Sequence, residues 1–334
     1  MKKLYFFPSE PLSGYQNPYC KNFKESISKY YKVLDMQKSS KVKRMFTLLI
    51  NSFYADIIIF NWLESIPFFP YGKIQFYINI IALQIIKIRK CKIVMMFHNL
   101  SPHTSNNWQS KYLMKWLFSN ATIIVTHSKE AEMVAKNKTK KPIYFITHPI
   151  NNIKVVNYET NKDIDIFIWG TVSKYKGIYE FISLPFIQNS PLKIYILGKS
   201  QDKILERLIK SACNHHIHYD NRKANFNEIA FYCQNSKYVL FPYIGNSISS
   251  SGALIDTLLL KGTPIGPNRG AFKDLSEEGL CFVYNDYTEL KNVLNETRKI
   301  DESKRMEFLN KHSWENFAYF LSTLLKPNFR NTFV

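Results

Sequence analysis

Cysteine is sparse in this 334-residue chain, and the five that occur, Cys20, Cys91, Cys213, Cys233 and Cys281, stand far apart with no paired spacing. That argues against a disulfide framework and a zinc site, and it fits a reducing cytoplasm. Long apolar runs are also missing. The longest candidate, residues 74–88, is broken by Gln75, Asn79, Gln84 and Lys87, so nothing approaches the roughly 18 uninterrupted apolar residues of a membrane span. The start, MKKLYFFP, is charged, but its apolar run is too short for a signal peptide. Glycine is scarce, at 11 residues, and neither familiar phosphate fingerprint occurs. There is no Gly-x-Gly-x-x-Gly, and the lysine that a Walker loop would follow with Ser or Thr is followed here by Gly177. Acidic residues are few in the first half. Residues 1–150 hold 22 Lys and Arg against seven Asp and Glu, whereas the rest holds 23 against 19. A basic half joined to a near-neutral half points to an anionic surface partner for the first half alone, either nucleic acid or anionic lipid.

What is present alternates. Apolar runs of four to six residues at 3–7, 56–60, 92–97, 121–126 and 143–147 are separated by segments of helical period. The same alternation restarts at 164–169, 192–197, 216–219, 238–241, 263–267 and 280–284. Continuous apolar strands between helices predict parallel sheets covered on both faces. The polar, aperiodic stretch 150–162 reads as a linker, giving a first domain over 1–150, a second over 151–313, and a last helix with its tail, 314–334, that could pack back on the first. The segment 38–53 sets Lys41, Lys43 and Arg44 beside Phe46, Leu49, Ile50 and Phe53. It reads either as a membrane-surface helix or as a core helix with a charged outer face.

Residues with chemistry collect at predicted strand ends, where open α/β sheets bind ligands. Phe241-Pro-Tyr-Ile-Gly-Asn-Ser-Ile-Ser-Ser-Ser-Gly-Ala-Leu-Ile-Asp256 runs from a strand through a polar loop into a helix. Ser249, Ser250 and Ser251 are candidate caps, Gly252 would let a ligand approach the backbone, and the helix N-terminus would face a diphosphate. Asp256, about one turn further in, could accept hydrogen bonds from sugar hydroxyls. Gly170-Thr-Val-Ser-Lys-Tyr-Lys176-Gly177 places a lysine to neutralise a phosphate, and Gly198-Lys199 ends the next strand. His98-Asn-Leu-Ser-Pro-His103 offers two imidazoles for sugar contact, proton transfer or a metal, and no clustered acids or cysteines support the metal. Glu64, after Asn61-Trp62, adds an acid beside an aromatic ring.

These motifs, over roughly residues 164–270, resemble the GT-B glycosyltransferases of family 4. Gly170…Lys176-Gly177 matches that family's Gly-Arg-Leu…Lys-Gly segment. Ser250-Ser-Gly-Ala-Leu-Ile-Asp256…Lys261-Gly-Thr-Pro-Ile265 matches its Gly-Phe-Gly…Glu-Ala…Gly-x-Pro-Val segment. The family's arginine is Thr171 here, its first motif glutamate falls near Ile248, and its second is the shorter Asp256. The resemblance implies two Rossmann-like domains facing across a cleft and transfer of a sugar from a nucleoside-diphosphate sugar with retention, without metal or other cofactor. It gives His98 and Lys176 the catalytic roles. It assigns the donor to Gly170, Thr171, Lys174, Gly198, Ser249, Ser250, Ser251, Gly252, Asp256 and Arg269, and the acceptor to Gly14, Tyr15, Glu64 and His103. A lipid-linked oligosaccharide for surface polysaccharide is the expected acceptor, reached by a protein held peripherally at the inner, anionic face of the cytoplasmic membrane, with no nucleic-acid partner. A sugar-nucleotide 2-epimerase of the same architecture is the alternative, although it needs more carboxylates than are visible. A basic nucleic-acid-binding protein ranks below it for want of a binding motif.

Overall fold

The structure is a computed structural model that describes residues 1–12, 17–35, 40–98, 107–159, 161–245, 250–296 and 298–326. Met1–Thr147 together with the chain from Ser313 onward form one compact unit, and His148–His312 form the other.

The first unit runs β1 (Lys3–Phe7), α1 (Pro18–Ile27), β2 (Lys32–Val33), α2 (Lys41–Ser52), β3 (Ile57–Asn61), α3 (Gly72–Ile88), β4 (Lys92–Phe97), α4 (Trp108–Asn120), β5 (Ile123–Thr126), α5 (Lys129–Lys136) and β6 (Ile143–Phe145). Its strands pair in the order β2-β1-β3-β4-β5-β6, all parallel. Successive residues of a strand point to opposite faces, and here both faces are buried. Tyr5, Ile58, Phe60 and Met95 pack with Leu48, Leu83 and Leu113 on one side. Leu4, Phe6, Ile59 and Val94 pack with Phe23, Ile27, Phe317 and Leu321 on the other. That is why the strands read as unbroken apolar runs rather than alternating ones.

The second unit continues with β7 (Ile164–Trp169), α6 (Ile178–Ile182), α7 (Pro185–Gln188), β8 (Ile194–Leu197), α8 (Lys203–Ala212), β9 (Ile217–Asp220), α9 (Phe226–Asn235), β10 (Ser236–Leu240), α10 (Gly252–Leu259), β11 (Pro264–Pro267), α11 (Gly270–Glu277), β12 (Phe282–Tyr284), α12 (Tyr287–Asn295) and α13 (Glu302–Lys311). Its parallel sheet has the order β12-β11-β10-β7-β8-β9. Chain direction across the sheet reverses between β7 and β10, the switch point at which such sheets open a crevice. In the first unit the reversal lies between β1 and β3.

The chain then returns to the first unit as α14 (Trp314–Leu324), capped by Ser313. Trp314 and Phe317 meet Phe23 at ring-centroid distances of 6.1 and 5.3 Å. Within the stretch 150–162, read from sequence as linker, residues 151–159 have no regular structure, yet the stretch is packed: Ile150 is buried, and the Tyr158 amide donates to Gln234 Oε1 at 2.9 Å. A polar, aperiodic segment can be fixed by side-chain bonds that sequence period does not report. Among the described residues no helix is long and apolar enough to cross a membrane.

Candidate functional site

At the switch point of the second unit, the loop after β7 is built on close backbone contacts. Gly170 has φ +99, a conformation that glycine adopts without a steric penalty. Its amide donates to Leu197 O at 3.1 Å, and a Cβ on Gly198 would overlap the Gly170 carbonyl. Gly177, at φ +62, packs its Cα against the Pro242 carbonyl, and the Ile244 amide donates to Tyr175 O at 2.9 Å. The three loops after β7, β8 and β10 are thereby sewn together.

Lys176 is the product of that packing. Its side chain is buried at 7% exposure. Its Nζ lies 3.2 Å from where a Gly170 Cβ would stand and 5.7 Å from the Tyr243 ring centroid. Among the described residues it has neither a hydrogen-bond nor an ion-pair partner. Burial pushes the ammonium down to about 8, because desolvation disfavours the charged form. Lys174 does not join it: that side chain is 77% exposed and stands 3.7 Å from Asp202 Oδ2. Lys174 sits in a 3₁₀ turn, Lys174–Lys176, whose two ends point to different sides. Thr171 is exposed.

The N-terminus of α10 faces the same crevice. Ser251 is the cap, its Oγ accepting from the Leu254 amide at 3.4 Å, and Tyr243 Oη lies 3.2 Å from that oxygen. Ser250 precedes it at intermediate exposure. Ser249 falls outside the described residues. The His148 ring stands 3.6 Å from where a Gly252 Cβ would be, its Nδ1–H donating to Pro149 O at 2.8 Å. Burial holds this imidazole down to about 4, so it is neutral. Asp256 is buried at 7% exposure, with Asn151 Nδ2 donating to its two oxygens at 2.8 and 2.9 Å. Desolvation raises its carboxyl to about 7 despite those bonds. Arg269 Nη2 donates to Tyr243 O at 3.0 Å and borders a cavity of about 330 Å³ between the loops after β10, β11 and β12, within the size range of small-ligand pockets.

The first unit gathers a second cluster at its own strand ends. His98 Nε2 lies 2.9 Å from Asn61 Oδ1, and its ring stacks on Trp62 at 4.8 Å. Tyr19 Oη lies 3.1 Å from His127 Nε2, and His127 Nδ1 bonds Ile146 O at 2.7 Å. Glu64 is buried beside them in sequence, and desolvation raises its carboxyl to about 7. Gly14, Tyr15 and His103 fall outside the described residues. Among the described residues no three His, Cys, Asp or Glu side chains are grouped to hold a metal ion. His148, Asn151, Tyr243, Tyr19 and His127 were not singled out from sequence. Each meets its partner across a sequence gap or a loop of no motif, and only a strand-end position could have flagged His127.

No family model matches the chain, and no curated protein matches it in sequence. Solved structures do match in shape. Sucrose-phosphate synthase from Thermosynechococcus elongatus superposes with a TM-score of 0.69 at 14% identity, over 97% of this chain and 98% of its own. HepE of Anabaena, solved with UDP-glucose, gives 0.61 at 11%, over 97% and 95%. The N-terminal domain of Candida albicans trehalose-6-phosphate phosphatase gives 0.62 at 10%, over 97% and 96%. The fold is that of the GT-B glycosyltransferases, with two parallel six-stranded α/β sheets. At such identities the likeness speaks for the fold, and activity has to be argued from the site.

The glycine contacts give a paired expectation. Gly198→Ala forces a methyl group into the Gly170 carbonyl and should lower the melting temperature by roughly 5 °C or more, as burying a clash in a packed loop does. Gly252→Ala places its Cβ in ordinary contact with His148 and should leave the melting temperature nearly unchanged. Calorimetric scans of both variants check this, and equal stability of the two would refute the packing role of Gly198.

Proposed function

We propose that this chain is a glycosyltransferase that moves a sugar from a nucleoside-diphosphate sugar to a hydroxyl acceptor. The observation that carries the reading is Lys176, a buried ammonium with no ion-pair partner among the described residues, in the crevice faced by the capped N-terminus of α10. A diphosphate supplies the charge that this group lacks. The fold agrees, since HepE was solved with UDP-glucose. In the proposed reaction the bond from the sugar C1 to the β-phosphate oxygen breaks, and the acceptor oxygen bonds to C1. The acceptor proton leaves on the departing diphosphate. Lys176 and the α10 amides stabilise the negative charge that grows on that leaving group. Asp256, with Asn151 fixing its carboxylate, holds the ribose. Arg269 and Gly170 border the donor, and His98, oriented by Asn61, addresses the donor sugar. Glu64 belongs to the acceptor side. Retention of configuration and independence from metal are part of the proposal, as is a lipid-linked oligosaccharide acceptor in surface polysaccharide synthesis. The 2-epimerase reading has no observation in its favour.

Membrane association at the inner face of the cytoplasmic membrane is proposed for the first unit. Along α2, Val42, Phe46, Ile50 and Phe53 form one stripe, exposed by 40–64%. Along α3, Ile74, Tyr77 and Ile81 form another, exposed by 57–60%. The two helices pack side by side, and Lys41, Lys43 and Arg44 stand at the start of α2. Apolar groups beside basic ones on a helix surface suit the interface of an anionic bilayer.

Two measurements test these readings. Lys176→Ala should cut turnover by about 10²-fold. In the wild type, nucleoside-diphosphate affinity should fall as pH rises through about 8, because the free lysine loses its proton there. Lys176→Arg should carry affinity to higher pH, since guanidinium stays charged. A flat calorimetric profile from pH 7 to 9.5 would remove Lys176 from the site. Replacing Lys41, Lys43 and Arg44 with Gln should release much of the protein from anionic vesicles, at about 1 kcal/mol per charge, and salt should mimic the change. Equal sedimentation of the variant and the wild type would count against this surface.

A further inference from the structure

The opposite edge of the second sheet carries a different concentration of charge. Lys162 precedes β7, Lys237 is the second residue of β10, and Lys261 and Thr263 lead into β11, so these residues share the N-terminal strand ends, away from Lys176. With Arg298, Lys299 and Arg305 they line a cavity of about 230 Å³, whose one acidic side chain is Glu296. Glu296 is taken by Arg298 at 2.6 Å. Lys237 is held by Asp165 at 2.7 Å. Lys162, Lys261 and Lys299 have no carboxylate partner among the described residues.

Arg305 is the buried member. It is 5% exposed, with Nη1 3.2 Å from Glu302 Oε2 and Nη2 donating to Gly262 O at 3.3 Å. Its Nε is buried with no hydrogen-bond partner among the described residues, and a buried donor left unsatisfied is costly. Lys162 Nζ donates to the Ser236 carbonyl, at 2.8 Å. Burial, then the nearby charge of Arg305 and of Lys299, hold this lysine below its usual range. Cations pressed together against a half-buried wall repel one another unless an anion joins them.

We propose that this cavity binds a phosphoryl group. A dianion there would lie within reach of Lys162, Lys261 and Lys299, the lining lysines without carboxylate partners among the described residues. Ammonium groups converging on one cavity supply charge-assisted hydrogen bonds to phosphate oxygens. The volume suits a phosphate or a small phosphate monoester rather than a whole nucleotide, which occupies the larger pockets of the usual range. The site is separate from the proposed donor site and does not depend on it. The phosphoryl group could come from a soluble phosphate or from a lipid headgroup.

The test uses the full chain, with inorganic phosphate as probe and sodium chloride at matched ionic strength as reference. Arg305→Ala removes a buried group and could unfold the unit, so the variant of choice is Lys261→Gln with Lys299→Gln, both outside the core. Calorimetry on a Lys176→Gln background isolates this cavity from the donor site. Phosphate should bind that background and raise its melting temperature beyond the chloride control. Adding the two Gln substitutions should weaken the binding about tenfold or more. Unchanged phosphate affinity in the triple variant overturns the proposal, as does a phosphate response no larger than that of chloride. Vesicles of phosphatidic acid, whose headgroup is a phosphate monoester, against phosphatidylcholine then identify the source. A lipid headgroup predicts that the two Gln substitutions reduce sedimentation even with Lys41, Lys43 and Arg44 already neutralised, and a soluble phosphate predicts no change.

Discussion

A buried ammonium without a counter-ion is the constraint on which the second unit's crevice depends. Desolvation opposes the charge on Lys176, and among the described residues its ammonium has only the face of the Tyr243 ring. Such a group persists because the surrounding packing over-determines its position. Gly198 must be glycine for the Gly170 carbonyl to lie where it does, Gly170 must be glycine for its φ, and Gly177 must be glycine to meet the Pro242 carbonyl. Three glycines of a glycine-poor chain are spent on holding one lysine in place. The same logic explains the neutral imidazole of His148 and the carboxyl of Asp256, two further groups whose charged forms burial disfavours around α10.

Much of this fold could be read from sequence because parallel strands buried on both faces leave continuous apolar runs. Residues 3–7, 92–97 and 164–169 were expected as strands and are strands with those bounds. The motif Gly170…Lys176-Gly177 was legible for a related reason: turn glycines are spaced by local geometry. What sequence did not reveal depends on contacts between distant residues. Asn151 meets Asp256 across 105 residues, and Tyr19 meets His127 across 108. The aperiodic stretch 150–159 reads as linker because its order comes from such contacts and not from a period. Lys174 reads as a companion of Lys176 because the two are only two residues apart in sequence, while a 3₁₀ turn sends one inward and the other to Asp202. The basic cavity around Arg305 is assembled from five separate segments, so it leaves no motif at all.

The two units divide their chemistry. The first carries most of the net positive charge, two exposed apolar stripes on α2 and α3, and the His98–Asn61–Trp62 cluster. The second is near neutral overall, yet it places uncompensated cations at both edges of its sheet: Lys176 at the C-terminal strand ends, Lys162, Lys261 and Lys299 at the N-terminal ones. Charge that is expensive to bury, concentrated at two places in an otherwise balanced unit, marks where anions belong.

The most direct test of the central claim is amide hydrogen exchange of the whole chain with and without a nucleoside diphosphate. If Lys176 and the α10 N-terminus hold the diphosphate, amides of residues 170–177 and 251–255 gain protection. That gain disappears in Lys176→Ala while the rest of the second unit exchanges as before. Protection confined to other segments, or equal protection in the Lys176 variant, would contradict the account.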